Sequence, residues 1–193
     1  LTMQTSVRRP DEGGRTISDL ESNILRIAGK QRWTLDLEYE NDTPLFETER
    51  DIVRADGDPT AYRTLLPKQD QASVAGSVVR DLNDTMALTL SASLDDTSRL
   101  SYQGLPGIRL NLPASSPFSP YDEDFLVQRY LDAPDALSRT TDTLAGKVGA
   151  LMDGYLGDWR WTLTGGYNRT EAKTRTGRGL DIAALQAGVT AGT

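Results

Sequence analysis

The segment Trp159 to Tyr167 reads Trp-Arg-Trp-Thr-Leu-Thr-Gly-Gly-Tyr, and its apolar side chains fall on alternate positions. Trp159, Trp161 and Leu163 belong to one series, which Tyr167 continues after a glycine. Side chains alternate across a strand with a period of two, whereas a helix would scatter these residues around its axis. The segment is therefore predicted to be a strand with one apolar face and one polar face.

A second segment, Arg32 to Glu40, has the same design, with apolar residues at Trp33, Leu35, Leu37 and Tyr39. Aromatic residues stand at both ends of each apolar stripe. A bacterial outer-membrane barrel has this arrangement: an outward apolar band about 25 Å tall, rimmed by aromatic residues, around a polar interior. We expect the two stripes to share one face of a sheet, with Asp36 and Thr162 on the other.

Composition excludes several classes of function. The 193 residues include no run of 18 or more apolar residues, which argues against a transmembrane helix. Cysteine and histidine are both absent, so thiolate nucleophiles, disulfides, histidine metal sites and the Ser-His-Asp triad are ruled out. The net charge of -7 argues against a nucleic-acid partner, because that binding depends on Lys and Arg. We expect no enzymatic activity, no catalytic residue, no cofactor and no metal site.

We expect no signal peptide within Leu1 to Pro10, because this segment is polar and lacks an apolar core. Two explanations stay open at this point. The sequence is either a mature chain or a piece of something longer.

Three hairpins are predicted, at about residues 17–40, 72–94 and 141–168, which gives about six strands. Residues suited to tight turns stand between the paired strands, near Gly29, Asn83 and Gly157. The first strand is ambiguous, because the apolar residues from Ile17 to Ala28 also fit a helical stripe.

The segments between and after the hairpins, at about residues 41–70, 95–140 and 169–193, are polar and charged, and the first two are rich in proline. Loops longer than about 15 residues are uncommon in compact soluble domains. Short turns that alternate with long loops are typical of a transmembrane barrel, so we expect the turns at one rim and the loops at the other. The predicted fold class is all-β: an antiparallel up-and-down meander that forms part of a transmembrane β-barrel.

Two stretches resemble a known family. Gly107 to Tyr121, Gly-Ile-Arg-Leu-Asn-Leu-Pro-Ala-Ser-Ser-Pro-Phe-Ser-Pro-Tyr, followed by Val127 to Leu131, is similar to the LPAxNPFxPFG loop of TonB-dependent outer-membrane receptors of alphaproteobacterial type. Gly157 to Arg169, followed by Thr176 to Asp181, is similar to the GGWxWxLTGNYxRxxxxTxTxRGxD strand and loop of those receptors. The resemblance covers about residues 71–181 well and the first third more loosely.

The resemblance implies an interior part of such a receptor's barrel, spanning residues 1–193, without the plug domain, the energy-coupling box or the closing strand. The whole receptor would import a scarce nutrient, such as a siderophore or an oligosaccharide, across the outer membrane of a Gram-negative bacterium. The implied partners are the outer-membrane lipid bilayer, the TonB complex through the missing plug, and a small-molecule nutrient. The ligand-binding residues and the oligomeric state are not specified by the sequence.

Two other functional classes remain open. A soluble or surface-exposed β-sandwich that binds a ligand also has strands with one apolar face, although it expects turns every 8 to 12 residues. A barrel-type enzyme is the next alternative after the sandwich. Dependence on detergent distinguishes the membrane hypothesis from the sandwich.

Several groups of charged residues in the connections are candidates for ligand contact. One is an acidic group that also fits ordinary solvated loop charge, since no calcium-loop spacing is present: Asp122, Glu123, Asp124, Asp132 and Asp135. A second is the calcium-like turn at residues 55–59, which lacks further ligands. Carboxylate pairs that a glycosidase would need are present without a supporting motif, at Asp95-Asp96 and at Glu47 with Glu49. A basic run follows the last strand and suits lumen or lipopolysaccharide contact as well as a solvated strand extension: Arg169, Lys173, Arg175 and Arg178.

Overall fold

Eleven strands and one α-helix are present in the computed structural model, which describes residues 1–11, 13–55, 57–131 and 135–191. In chain order they are β1 (Thr2–Arg8), β2 (Ile17–Ala28), β3 (Gln31–Asp42), β4 (Leu45–Phe46), β5 (Thr64–Leu66), β6 (Lys68–Asn83), β7 (Met86–Tyr102), β8 (Gly107–Leu112), β9 (Phe125–Tyr130), β10 (Ser138–Leu156), β11 (Trp159–Thr176) and α1 (Ile182–Ala191). Short 3-10 helices lie at Glu47–Arg50 and Thr60–Tyr62. The all-β fold class is thereby confirmed.

Seven of the strands form one sheet in the order β1-β2-β3-β6-β7-β10-β11. The three predicted hairpins are present and longer than expected, as β2 with β3, β6 with β7, and β10 with β11. The predicted number of strands was too low, because β1 adds an edge strand and four short strands form two separate pairs, β4 with β5 and β8 with β9. The sheet is open, with β1 and β11 as its edges.

The three hairpin turns lie at one rim of the sheet, as predicted. The first and third turns use Gly29 (φ 58°) and Gly157 (φ 61°), a left-handed conformation that favours glycine. In the second turn, the Asn83 side chain accepts a hydrogen bond from the Thr85 amide at 2.9 Å. Neighbouring turns are linked through the main chain, by Asp81 N to Lys30 O and by Tyr155 N to Thr85 O, both at 3.0 Å.

The longer connections leave from the opposite rim. The pairing of Asp42 with Gln69 places the end of β3 beside the start of β6, and the pairing of Arg8 with Ile17 places the β1–β2 connection at the same rim. The alternation of short and long connections at opposite rims is therefore confirmed. The ambiguous first strand is also settled, because β2 pairs with β3 along its whole length, from Ile17–Asp42 to Ala28–Gln31.

The chain divides into two compact units. The first contains most of the large sheet and consists of Leu1–Leu45, Pro67–Leu100 and Thr140–Arg175. The second consists of Phe46–Leu66, Ser101–Arg139 and Thr176–Thr193. The sequence prediction was wrong for two stretches of the second unit, which were expected to be irregular loops: residues 107–130 contain the β8–β9 hairpin, and residues 182–191 form α1.

The first unit has almost no buried apolar core. Among the residues that the structure describes, the buried apolar side chains are Leu45, Leu105, Leu110 and Leu112. Three of these four belong to the second unit, and Leu45 is the last residue of its segment in the first. A folded water-soluble sheet normally buries one face against another layer. The apolar face of this sheet is instead exposed.

Candidate functional site

The exposed apolar face of the large sheet is the main candidate functional surface, and we call it the apolar band. Cross-strand pairing places Leu35 beside Ile24 on β2 and beside Gly76 on β6, and Leu37 beside Val74. Strand β7 continues the face, because Val74 pairs with Leu94. Members of the band are exposed by between 36% and 81%: Leu20, Ile24, Trp33, Leu35, Leu37, Tyr39, Val74, Leu90, Leu94, Leu144, Val148, Trp159, Leu163 and Tyr167.

The last two strands join the same face. A Cβ added at Gly146 would lie 3.7 Å from the Leu94 side chain, so β10 presents Leu144 and Val148 beside Leu94. On β11, Trp161 lies across Gly154, whose added Cβ would be 3.0 Å from the indole Cζ2. The two tryptophan-rich stripes therefore share one face of the sheet, as predicted.

The apolar stripes of β3 and β11 can be measured along their strands. On β3 the stripe extends from Trp33 to Tyr39, which spans about 20 Å, and on β11 from Trp159 to Tyr167, which spans about 27 Å at 3.4 Å per residue. Aromatic rings occupy both ends of each stripe.

Charged residues lie on the same face as the apolar band, between the band and the rim with the longer connections. Asp70 accepts hydrogen bonds from Asn41 and contacts Lys68 Nζ at 3.0 Å. Asp142 accepts a hydrogen bond from Ser98 Oγ at 2.8 Å and lies 3.4 Å from Arg175. The strands therefore pass from an apolar zone into a zone of partly buried polar contacts.

The opposite face of the sheet is polar over most of its length, and its apolar side chains lie near the rim with the short turns, at Leu25, Ile27 and Val79. Thr34 Oγ1 and Ser77 Oγ lie 2.6 Å apart, and Asn23 donates a hydrogen bond to Asp36 across β2 and β3. Arg8 contacts Asp19 at 3.2 Å. By the register of β2, β3, β6 and β7, this face carries eight carboxylates: Asp19, Glu21, Asp36, Glu38, Glu40, Asp42, Asp81 and Asp95. Acidic side chains of this kind suit a face that meets water.

The candidate carboxylates of the connections are not brought together. Asp124 accepts a hydrogen bond from the Ala114 amide at 2.8 Å and so stabilises its own loop, while Asp122 and Glu123 are exposed. Asp135 is exposed, and Asp132 lies outside the described residues. Within the described part of the chain, no group of three or more His, Cys, Asp or Glu side chains is arranged to hold a metal ion.

The paired carboxylates also have other roles. Asp95 and Asp96 lie within β7 and not in a loop, so they project from opposite faces of the sheet. Glu47 is buried and forms an ion pair with Arg54 at 2.8 Å, while Glu49 accepts a hydrogen bond from the Phe46 amide at 2.7 Å. Neither pair faces across a cleft as a glycosidase requires.

The remaining candidates lie at the sheet's edge strand and in a structural ion pair. Arg169, Lys173 and Arg175 lie on β11, which extends to Thr176 and not to the predicted Asn168, and Arg178 is exposed beyond it. In the calcium-like turn, Asp56 lies outside the described residues, and Asp58 is buried in an ion pair with Arg63.

Sequence reasoning missed two specific contacts. Arg15 forms an ion pair with Asp42, which is only 2% exposed, and so ties the β1–β2 connection to the end of β3. Gln186 of α1 binds the main chain of β8 at Asn111. Neither contact has a sequence signal, because single residues far apart in the chain make it.

The chain matches no family model, no curated protein and no solved structure in the comparisons made. None of the described helices combines the length and the apolarity needed to cross a membrane.

Proposed function

We propose that this chain forms part of the wall of a TonB-dependent outer-membrane receptor, with the apolar band facing lipid and the polar face lining the interior. The single observation that carries the proposal is the band itself: apolar side chains over six neighbouring strands, exposed to between about a third and four-fifths. Apolar patches larger than a few hundred Å² are rare on soluble monomers and mark interaction or membrane surfaces.

Three further features support a membrane wall over a soluble sandwich. The band is about as tall as the hydrocarbon core that a barrel spans, and aromatic side chains stand at its ends. Short turns lie at one rim and long connections at the other. Among the described residues the apolar face is exposed, whereas a sandwich would pack that face against a second sheet.

The part that this chain plays in transport is confined to wall, lining and connections. Seven strands are fewer than the eight of the smallest closed barrels, so closure requires further strands. The resemblance to TonB-dependent receptors supplies the remaining elements of the proposal: uptake of a scarce nutrient, energy relayed by the TonB complex through a plug, and location in the outer membrane of a Gram-negative bacterium.

Single-cysteine labelling tests the assignment of the two faces. The chain has no cysteine, so Leu163→Cys and Thr162→Cys each introduce one thiol at adjacent positions on opposite faces. In outer membranes of cells that produce the protein, a membrane-impermeant maleimide is expected to label Thr162→Cys and to leave Leu163→Cys unlabelled, because the reactive thiolate does not form in lipid. After solubilisation in denaturant, both variants should react equally.

Two results would contradict the proposal. Equal labelling of the two native-state variants would mean that both faces meet water. Recovery of the protein as a monomer in the soluble fraction, with a cooperative thermal transition in the absence of detergent, would favour the β-sandwich alternative.

A further inference from the structure

One side chain of α1 covers the edge of β8 that does not pair with β9. Gln186 Oε1 accepts a hydrogen bond from the Asn111 amide at 2.8 Å, and Gln186 Nε2 donates one to the Asn111 carbonyl at 2.8 Å. Both main-chain groups of Asn111 therefore bond away from β9, which lies on the other side of β8. A carboxamide offers one acceptor and a donor side by side, so it takes the place of a peptide group in a neighbouring strand.

The helix that presents Gln186 has little stability of its own. It has 10 residues, which is short for an isolated helix in water, and it contains Gly188 and Thr190, which are poor helix formers. None of its residues is buried, and it has no charged side chain for stabilising pairs. Its first turn is capped by Asp181, whose Oδ1 accepts a hydrogen bond from the Ala184 amide at 3.1 Å.

The rest of α1 packs against β8 without burying a side chain. Within the described part of the chain, a second side-chain hydrogen bond attaches α1, from Ser116 Oγ to the Val189 carbonyl at the longer distance of 3.3 Å. A short exposed helix with few anchors is expected to unfold locally at a low cost in free energy. Release of Gln186 would leave the Asn111 amide and carbonyl open at a strand edge, where another extended segment can add.

We propose that α1 is a removable cover for the edge of β8 and that Gln186 is its latch. In the closed state, the latch occupies the main-chain groups that a further strand would use. In the open state, α1 leaves β8 as a unit while the β8–β9 hairpin and the large sheet stay folded. The proposal does not depend on the membrane assignment, because every contact in it lies within the second unit.

Hydrogen exchange with Gln186→Ala tests the latch, in detergent micelles or in plain buffer, whichever keeps the chain folded. Peptides that resolve the Asn111 amide and peptides from α1 are compared with reference peptides from β3 and β6. The variant loses two hydrogen bonds, so exchange at Asn111 and in α1 is expected to rise together by on the order of tenfold or more, with no change in the reference strands. Gln186→Glu keeps the acceptor for the Asn111 amide and should give a smaller increase.

The matched control is Gln128→Ala, which removes an exposed glutamine from β9 of the same hairpin and should change nothing. Unchanged exchange at Asn111 in Gln186→Ala, or a rise in α1 alone, would overturn the proposal. So would full exchange of both segments in the unsubstituted chain, because the cover would then not be closed. Loss of protection in β3 and β6 would mean that Gln186 supports the whole fold, which contradicts a removable cover.

Discussion

Replacing Leu163 by arginine should destabilise the membrane-bound protein far more than the same replacement at Thr162. Leu163 lies four residues from Trp159 and four from Tyr167, which places it about 13 Å along the strand from each end of the apolar band. The proposed lipid-facing band would place it near the bilayer midplane, where arginine on the lipid face of a barrel costs about 2 to 4 kcal/mol. That cost lowers the folding equilibrium constant by about 30- to 700-fold. Thr162 faces the polar side and should lose less than about 1 kcal/mol.

The exposure of Leu163 makes this comparison informative. The Leu163 side chain is 65% exposed in the folded chain. If this face met water, replacement by arginine should therefore change the free energy of unfolding by no more than about 0.5 kcal/mol. Denaturant titration of both variants in phospholipid vesicles, followed by circular dichroism, measures the difference. Equal free energies of unfolding for Leu163→Arg and Thr162→Arg would refute the lipid-facing assignment. A large cost for Leu163→Arg in detergent-free buffer would indicate that another protein layer covers the band.

Three further predictions concern packing, the rim contact and solubility. Gly154→Val should cost about 1 to 3 kcal/mol, because an added Cβ would lie 2.9 Å from Met86 Cγ, whereas Gly165→Ala has open space around it and should be neutral or stabilising in the same unfolding assay. Asp42→Asn should lower the free energy of unfolding by about 2 to 3 kcal/mol, because it breaks the ion pair with Arg15. This lies toward the lower end for a broken buried pair, since Arg15 is partly exposed. Faster hydrogen exchange in residues 15–17 would show the loss of the ion pair. Without detergent or lipid the chain should aggregate, since both sheet edges and the apolar band are uncovered, and light scattering during dilution from denaturant measures this; a clear solution of monomers would contradict it.

The large hairpins were predictable because their apolar residues recur with period two. This signal gave β3 and the first half of β11, and the turn residues near Gly29, Asn83 and Gly157 fixed the connections. The period-two signal fails where neither face of a strand is apolar. Beyond Tyr167, β11 carries polar or charged residues on both faces, so its last eight residues looked like a loop.

The missed elements lack a strong local pattern. β1 is a short polar strand at the edge of the sheet, and only its pairing with β2 reveals it. β8 alternates apolar residues at Ile108, Leu110 and Leu112, but the prolines around it favoured an irregular segment. α1 has no charged side chain, so no amphipathic stripe identifies it.

Measuring how deeply a single tryptophan lies in lipid tests the central claim most directly. Leu163→Trp and Thr162→Trp are each made in a background in which Trp33, Trp159 and Trp161 are replaced by phenylalanine, and the proteins are bound to vesicles of lipids brominated at different depths. If the apolar band faces lipid, bromines near the ends of the lipid acyl chains should quench the tryptophan fluorescence of Leu163→Trp most strongly. The fluorescence of Thr162→Trp should be nearly unquenched. Equal quenching of the two variants, or none in either, would contradict it.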